Sequence, residues 1–163
     1  MKIKILTAFP DFISSIKEFS IIKRAIEKSL LEIEVFDLRK WGIGGYKQID
    51  DTPFGGGAGM LYMIEPIYNA LEEIKNKSSY IIATSAKGTM LNYSKSRQLA
   101  NERELVIVCG HYEGIDYRVH ENLVHESISI GDFVLSGGEI PSMVIVDSIV
   151  RLLPGVINSE SLS

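Results

Sequence analysis

The chain has 163 residues and a formal net charge of −4, with 45% hydrophobic and 23% charged side chains. This length and composition predict one folded domain with a substantial core and exclude a chain that is disordered throughout. No apolar run approaches the ~20 residues that a membrane-spanning helix needs, and the N-terminus lacks the pattern of a signal peptide. Cys109 is the single cysteine, which excludes an internal disulfide and a zinc site built from several cysteines. We therefore expect a cytoplasmic protein without a membrane partner.

Apolar periodicity divides the chain into alternating strands and helices. In order, it predicts a strand at 3–8, a helical region at 10–30, a strand at 33–38, an irregular stretch at 39–60, a helix at 65–75, a strand at 80–83, a helix at 94–101, a strand at 105–109, a loop at 110–117, a strand at 124–130 and a helix at 139–153. An irregular stretch as long as 39–60 is usually functional in a compact domain. The alternation predicts an α/β fold with a mostly parallel sheet and helices on both faces.

Charge is distributed unevenly along the chain. Residues 1–103 hold 15 Lys and Arg against 12 Asp and Glu, whereas residues 104–163 hold 2 against 9. An acidic surface is a poor partner for nucleic acid, because phosphate binding requires a basic patch. The acidic C-terminal part therefore indicates either a solvated acidic face or a surface for a cationic ligand.

Glycine is clustered as well. Seven of the 14 glycines lie between Gly42 and Gly59, and five more lie in the loops at 110–114 and 131–138. Their spacing matches neither the G-x-G-x-x-G dinucleotide motif, nor a P-loop, nor a G-x-S-x-G nucleophile elbow. The three histidines, His111, His120 and His125, lack the companions of a zinc site. No metal site is predicted.

Three glycine-bearing segments follow strand-like runs, at 50–60, 109–116 and 129–139. Ligands bind at the carboxyl ends of strands in open α/β sheets, so these segments indicate either a ligand site or three tight turns. The second and third offer the carboxylates of Glu113 and Asp132 and apolar contacts from Ile130 and Leu135. These groups suit an apolar-edged, partly cationic ligand.

Five segments together carry a family resemblance. They are A-F-P at 8–10, D-x-P-F-G-G-G-x-G-M at 51–60, V-C-G-x-Y-E-G-I-D at 108–116, S-I-G-D-F-V-L-x-G-G-E at 129–139 and R-x-x-P-G-V at 151–156. In order and spacing the chain resembles the bacterial tRNA (guanine-N(1)-)-methyltransferase family over nearly its whole length. The resemblance implies methyl transfer from S-adenosylmethionine to N1 of the guanine just 3′ of the anticodon, a modification that maintains the reading frame.

The resemblance also implies a structure and a set of site residues. The expected fold is the α/β-knot, or SPOUT, fold with a deep trefoil knot in its C-terminal part, an exception to the rule that chains do not thread loops. The protein is expected to be a homodimer that binds tRNA. The expected donor-binding residues are Thr84, Ser85, Gly110, Glu113, Ile130, Gly131, Asp132, Phe133, Val134, Leu135, Gly137 and Gly138. The expected RNA-binding residues are Asp51, Gly56, Gly57, His111 and Arg151.

Arg151 and Glu113 are the expected catalytic residues. Guanine N1 becomes a nucleophile only after its proton leaves, which requires a general base and builds negative charge on O6. Arg151 matches a family arginine near the guanine and suits that charge, although by itself it is more typical of a salt bridge at a helix end. Glu113 favours the cationic sulfonium of the donor. The resemblance allows Mg²⁺ to assist the methyl transfer. The sequence shows no dense cluster of carboxylates that would identify ligands for this ion.

The chain departs from the family pattern in several places. The family's general base is an aspartate in a linker after the knot domain, followed by a helical tRNA-binding domain. We interpret residues 1–157 as the knot domain and 158–163 as the start of the linker, with the helical domain absent. Because the linker aspartate is not in these 163 residues, they are expected to bind the donor but to be inactive by themselves, the complete protein being the enzyme. Two alternatives follow, which are a donor-binding dimer without catalysis and a knot-fold methyltransferase for another RNA.

Four local departures lie close to the expected sites. His111 stands where the family usually has arginine, which weakens phosphate contact unless the histidine is protonated. Thr52 and Ala58 replace an arginine and a proline, so the glycine-rich segment is expected to be more mobile. Lys87 replaces a glutamine near the expected adenosine pocket.

Overall fold

The computed structural model describes residues 1–158 and residue 161. Its helices are α1 (Pro10–Ser14), α2 (Ser20–Glu27), α3 (Ile64–Ile74), α4 (Tyr93–Ala100), α5 (Tyr117–Asn122) and α6 (Glu139–Val150). Its strands are β1 (Lys2–Thr7), β2 (Glu32–Asp37), β3 (Asp50–Asp51), β4 (Leu61–Tyr62), β5 (Ser79–Met90), β6 (Glu104–Val108) and β7 (Glu126–Ser129). Short 3₁₀ helices lie at Ser15–Glu18 and Leu38–Trp41.

Five strands form a parallel sheet in the order β2-β1-β6-β5-β7, which confirms the predicted α/β fold. In the central register Ile5 of β1 lies opposite Val35 of β2 on one side and Ile107 of β6 on the other. The two-residue strands β3 and β4 pair separately and antiparallel. Since the main strands are parallel, their carboxyl ends meet at one edge of the sheet.

The sheet separates two apolar layers. Ile5 and Ile107 point to the layer covered by α2, α4 and α6, whereas Leu6 and Val108 point to the layer covered by α3 and α5. All five residues of β6 are buried, and residues 105–108 form a continuous apolar run rather than an alternating one because both faces of this central strand are covered. The prediction of helices on both faces is confirmed.

The N-terminal helical region differs from the prediction. The pattern over 10–30 predicts one helical region, and the structure divides it into α1, a 3₁₀ turn and α2. The break lies at Phe19 and Ser20, where Phe19 is extended and Ser20 has a φ of 37°. A left-handed φ is incompatible with a continuous α-helix, and apolar spacing does not report backbone dihedrals.

Two other elements depart from the sequence prediction. The segment after the 110–117 loop forms α5, which was not predicted because a single buried apolar residue, Val119, gives no helical period. The side chain of Asp116 caps this helix by accepting a hydrogen bond from the Arg118 amide (2.9 Å). The predicted short strand at 80–83 is instead the long strand β5, which continues to Met90.

The C-terminal end of the described chain packs into the core. Leu153 and Val156 are both less than a tenth exposed and belong to the same apolar layer as α6. Of the predicted linker at 158–163, residues 159, 160, 162 and 163 lie outside the described residues. No helix within residues 1–158 and 161 is long and apolar enough to cross a membrane, the longest being the 12-residue α6.

Candidate functional site

A cavity of about 390 Å³ opens at the carboxyl edge of the sheet. Four segments line it, which are 84–87 within β5, 110–115 after β6, 127–131 at the end of β7 and 133–138 before α6, together with Tyr117, His120 and Pro141. This is the position at which parallel α/β sheets bind ligands. Its volume is within the range of small-molecule sites.

Glycines bring two of these segments into contact. The amide of Gly138 donates to the carbonyl of Gly110 (2.7 Å), and His111 and Gly137 form an isolated antiparallel bridge. A Cβ on Gly138 would lie 2.1 Å from Thr84 Oγ1 and 2.8 Å from the Gly110 nitrogen. The segments approach so closely that position 138 has no space for a side chain.

The wall at 85–88 arises from a break in the pairing of β5 with β7. Thr84 and Thr89 both have Ile128 as partner, so the four residues between them leave the ladder. Gly88 allows β5 to pair with β7 again at Thr89, because a Cβ at position 88 would lie 2.5 Å from the Ser127 backbone. Ser85, Ala86 and Lys87 therefore line the cavity instead of continuing the sheet.

The segment before α6 gives the cavity an apolar edge. The Phe133 ring lies over Gly131, where a Cβ would be 2.1 Å from the ring. Phe133, Val134 and Leu135 line the cavity and remain exposed. Exposed apolar groups beside backbone amides and carbonyls are typical of sites for a ligand with both apolar and polar edges.

The glycine-rich segment at 55–59 docks beside the cavity without lining it. The Glu113 amide donates to the Met60 carbonyl (3.1 Å), and a Cβ on Gly59 would lie 2.3 Å from Glu113 Cγ. Gly56 and Gly57 have positive φ and open space around them, and Asp51 is exposed on β3. The predicted RNA-binding residues Asp51, Gly56 and Gly57 therefore lie outside the lining of the cavity.

Glu113 is the carboxylate that lines the cavity among the described residues, since Asp132 is exposed and outside the lining. His120, also in the lining, has its Nδ1 2.7 Å from Ser127 Oγ. Burial lowers the pKa of His120 below its usual 6.5, so it is neutral at pH 7. Burial raises the pKa of the Cys109 thiol, which keeps that neighbouring group protonated. The residues that the structure describes contain no group of three His, Cys, Asp or Glu side chains placed to hold a metal.

The family model for tRNA (Guanine-1)-methyltransferase TrmD matches residues 1–163. The chain belongs to this family. Among curated relatives, the tRNA (guanine-N(1)-)-methyltransferases of Mycoplasma mycoides subsp. mycoides SC, Christiangramia forsetii and Dehalococcoides mccartyi are 49%, 47% and 46% identical to it. The matches cover 99%, 99% and 100% of this chain and 67%, 72% and 67% of the relatives. The resemblance inferred from the five motifs is confirmed, and the chain is a methyltransferase by family.

In this family member the cavity collects the predicted donor-binding residues except Asp132, and it also includes the predicted RNA-binding residue His111. Their binding roles stay predictions. Sequence reasoning missed several lining residues, which are Tyr112, Gly114, Ile115, Tyr117, His120, Ser127, Ile128, Ser129, Ser136 and Pro141. Half of these lie within the quoted motifs and could have been named from them. The other half lie outside the motifs, and α5, β7 and α6 bring them to the wall: Tyr117, His120, Ser127, Ile128 and Pro141.

Arg151 lies away from this cavity. It caps the C-terminal end of α6, is exposed, and donates from Nη2 to the Ser161 carbonyl (3.1 Å). It lines a separate hollow of about 240 Å³ with Leu91, Asn92 and neighbouring residues. Within one copy of the chain, Arg151 and Glu113 therefore do not share a site.

Proposed function

We propose that this chain binds S-adenosylmethionine in the 390 Å³ cavity and transfers its methyl group to N1 of the guanine immediately 3′ of the anticodon in tRNA. The observation that carries the proposal is the cavity itself. In a chain that belongs to the methyltransferase family, four segments from different parts of the fold form one glycine-lined site at the carboxyl edge of the sheet.

The residues present fit such a donor. Gly110, Gly131, Gly137 and Gly138 line the cavity without side chains, so backbone can lie close to an adenine edge or to ribose hydroxyls. Ile130, Leu135 and Phe133 would cover the apolar faces. When bound, the donor supplies an electrophilic methyl group on a cationic sulfonium. Glu113 would favour that charge, because a carboxylate near a cation lowers its free energy.

The second half of the reaction requires an arginine, which the cavity lining within the described residues of one copy does not contain. Loss of the N1 proton makes guanine nucleophilic and builds negative charge on O6. An arginine stabilises such charge with two parallel donors. We propose Arg151 for this role, acting on the cavity of a partner copy, and we assign no residue of this chain as the general base.

An exposed apolar surface supports the proposed homodimer. Helix α1 packs on α6, and Phe12 of α1 and Ile140 and Val144 of α6 are each more than two-fifths exposed. Exposed apolar side chains grouped on neighbouring helices mark association surfaces. We propose that this surface packs against the same surface of a second copy of the chain. We also propose that the C-terminal part forms the trefoil knot of the family and that the protein acts in the cytoplasm. Mg²⁺ is not part of the proposal.

Thermal unfolding with and without S-adenosylmethionine tests the donor site. At about 100 times the dissociation constant the donor should stabilise the fold by roughly 2.7 kcal/mol, a rise in Tm of about 5–11 °C. ATP, which shares the adenosine and lacks the sulfonium, is the matched control and should give a much smaller rise. No shift in a folded sample would contradict the donor site.

A donor-binding module without turnover is the second candidate. The observation that favours it is that Glu113 is the one carboxylate lining the cavity in the described part of the chain, so a Glu113 that binds the donor leaves no second carboxylate there to act as general base. Incubating this chain, alone and joined to the part of the Dehalococcoides mccartyi relative that it does not cover, with radiolabelled donor and unmodified tRNA decides between them. Labelled tRNA supports the enzyme, whereas donor binding without labelled tRNA supports the module.

A further inference from the structure

The lining of the cavity carries one ammonium and one carboxylate. Among the residues that the structure describes, Lys87 is the only Lys or Arg in the lining, and Glu113 is the only Asp or Glu. They lie on different segments, Lys87 within β5 and Glu113 in the loop after β6. Within residues 1–158 and 161 neither side chain takes part in an ion pair. The cavity therefore offers an unpaired charge of each sign to a ligand.

The backbone of β5 holds Lys87 at this wall. The strand leaves its ladder with β7 after Thr84 and pairs with it again at Thr89. Between these positions the Lys87 amide donates to Ser85 Oγ (3.3 Å), a local hydrogen bond of the kind that stabilises turns. The Lys87 side chain is exposed, and its ammonium makes no hydrogen bond within the described part of the chain. It is therefore available to an anionic group of a ligand in the cavity.

The proposed donor has one such group. S-adenosylmethionine carries two cationic groups, the sulfonium and the α-ammonium, and a single anionic group, the α-carboxylate of its amino-acid end. Glu113 attracts the cationic groups and repels the carboxylate, which is more stable beside an ammonium. Protein walls around the ligand displace part of its water, and this strengthens the attraction between opposite charges. The charges of the lining thus match the two signs of charge on the donor.

We propose that Lys87 binds the α-carboxylate of the donor and thereby favours ligands that carry the amino-acid end. This inference rests on the proposed function and adds a specificity-determining residue to the donor site. A phosphate of the RNA is the other anion that the reaction brings near. The carboxylate is favoured because Lys87 belongs to the lining of a cavity of about 390 Å³, which holds a small molecule and leaves the RNA backbone outside.

Isothermal titration calorimetry with two ligands and two proteins tests the contact. The ligands are S-adenosylmethionine and its decarboxylated form, which keeps the sulfonium and the amine and lacks only the carboxylate. The variant is Lys87→Gln, which removes the ammonium and introduces the residue that the family usually has. Lys87→Gln should weaken binding of S-adenosylmethionine about three- to fivefold, the upper range for an exposed ion pair, and should leave binding of the decarboxylated ligand unchanged.

Two further variants separate the charge at position 87 from the general charge of the protein. Lys77→Gln removes another exposed lysine, which lies outside the lining, and should change neither affinity. Lys87→Arg, which keeps the charge, should bind both ligands as the unsubstituted protein does. Raising the salt from about 0.05 M to about 0.5 M should reduce the effect of Lys87→Gln on S-adenosylmethionine, because salt screens an exposed ion pair.

The other outcomes contradict the proposal in distinguishable ways. Equal losses for the two ligands in Lys87→Gln would place Lys87 against a part of the donor that both share, and would overturn the carboxylate contact. An unchanged affinity for S-adenosylmethionine would overturn it too, and weaker binding of an anticodon stem-loop RNA by the same variant would then assign Lys87 to a phosphate. If the folded, unsubstituted protein binds neither ligand, the proposed donor site itself is wrong.

Discussion

Gly110 and Gly138 are 28 positions apart in the chain, yet the amide of Gly138 donates to the carbonyl of Gly110 over 2.7 Å. This bond holds the loop after β6 against the segment that leads into α6. Both segments line the same cavity. The geometry of the candidate site therefore depends on a backbone contact that any side chain at position 138 would disturb.

Replacing Gly138 by Ala should damage the site. The new Cβ would lie 2.1 Å from Thr84 Oγ1 and 3.0 Å from the Cys109 Cα, so the loops must separate. We expect a loss of roughly 1–3 kcal/mol in the free energy of unfolding, the usual cost of overpacking, and at least a tenfold loss of donor affinity. Urea unfolding and calorimetry measure the two effects. Gly45→Ala, where nothing lies within 4 Å, is the control and should change neither.

Replacing Arg151 by Ala should separate donor binding from methyl transfer. Since Arg151 lies outside the cavity, donor affinity should stay within about twofold, while methyl transfer should fall by two to three orders of magnitude through loss of charge stabilisation. Transfer is measured with this chain extended by the part of the Dehalococcoides mccartyi relative that it does not cover. A large loss of donor affinity would contradict the assignment.

Mixing two variants that are each impaired in transfer tests whether Arg151 serves a partner copy. If it does, a dimer of one Arg151→Ala chain and one Gly138→Ala chain contains one intact site. Random reassociation should then restore about a quarter of the activity, because half of the dimers are mixed and half of their sites are intact. If almost no activity is restored, Arg151 either acts on the cavity of its own copy or has no role in catalysis.

The cap of α5 should depend on pH through Asp116. Hydrogen bonds from Arg118 lower the pKa of Asp116, and its Oδ1 accepts from the Arg118 amide. A depressed carboxyl pKa adds stability that is complete above the unfolded value near 4 and is lost as the pH falls through the folded value. Asp116→Ala should cost about 1 kcal/mol at pH 7, and Asp116→Asn, which keeps a capping oxygen, should cost less. Urea unfolding from pH 2.5 to 7 gives both values, and equal losses for Ala and Asn would contradict a capping role.

His120 should make the fold more stable as the pH rises through the range just below 6.5. Burial lowers its pKa in the folded state, so the unfolded chain binds a proton first. The stabilisation is therefore complete above the unfolded pKa and is lost as the pH falls through the folded one. In His120→Gln the slope of unfolding free energy against pH should be smaller between pH 5 and 6.5. An unchanged slope would contradict a lowered pKa of His120 at the wall of the cavity.

The local sequence determined the secondary structure and the family of this protein more fully than it determined the geometry of the candidate site. The apolar run at 105–109 predicts a buried strand because β6 lies in the centre of a parallel sheet, where both faces are covered. Helix α3 follows from its apolar period, and its start at Ile64 lies one residue from the predicted one. The glycine motifs identified the family and nearly all of the predicted donor-binding residues that line the cavity.

Other features of the protein could be identified only from the folded structure. The break at Ser20 depends on a backbone dihedral that no apolar period reports, and the excursion at 85–88 depends on how β5 pairs with β7. Both were absent from the sequence prediction. Arg151 and Glu113, named together as catalytic from the motifs, lie at separate sites in one copy.

The sequence by itself therefore determined the α/β class, the family and the segments that carry chemistry, because these depend on local periodicity and on motifs read along the chain. Tertiary structure alone decided which of those segments meet. The contact of Gly138 with Gly110, and that of Glu139 with Thr7 and His111, join residues 28 to 132 positions apart. Such contacts follow from strand order and register, which set the neighbours of each loop and are not encoded in any short stretch of residues.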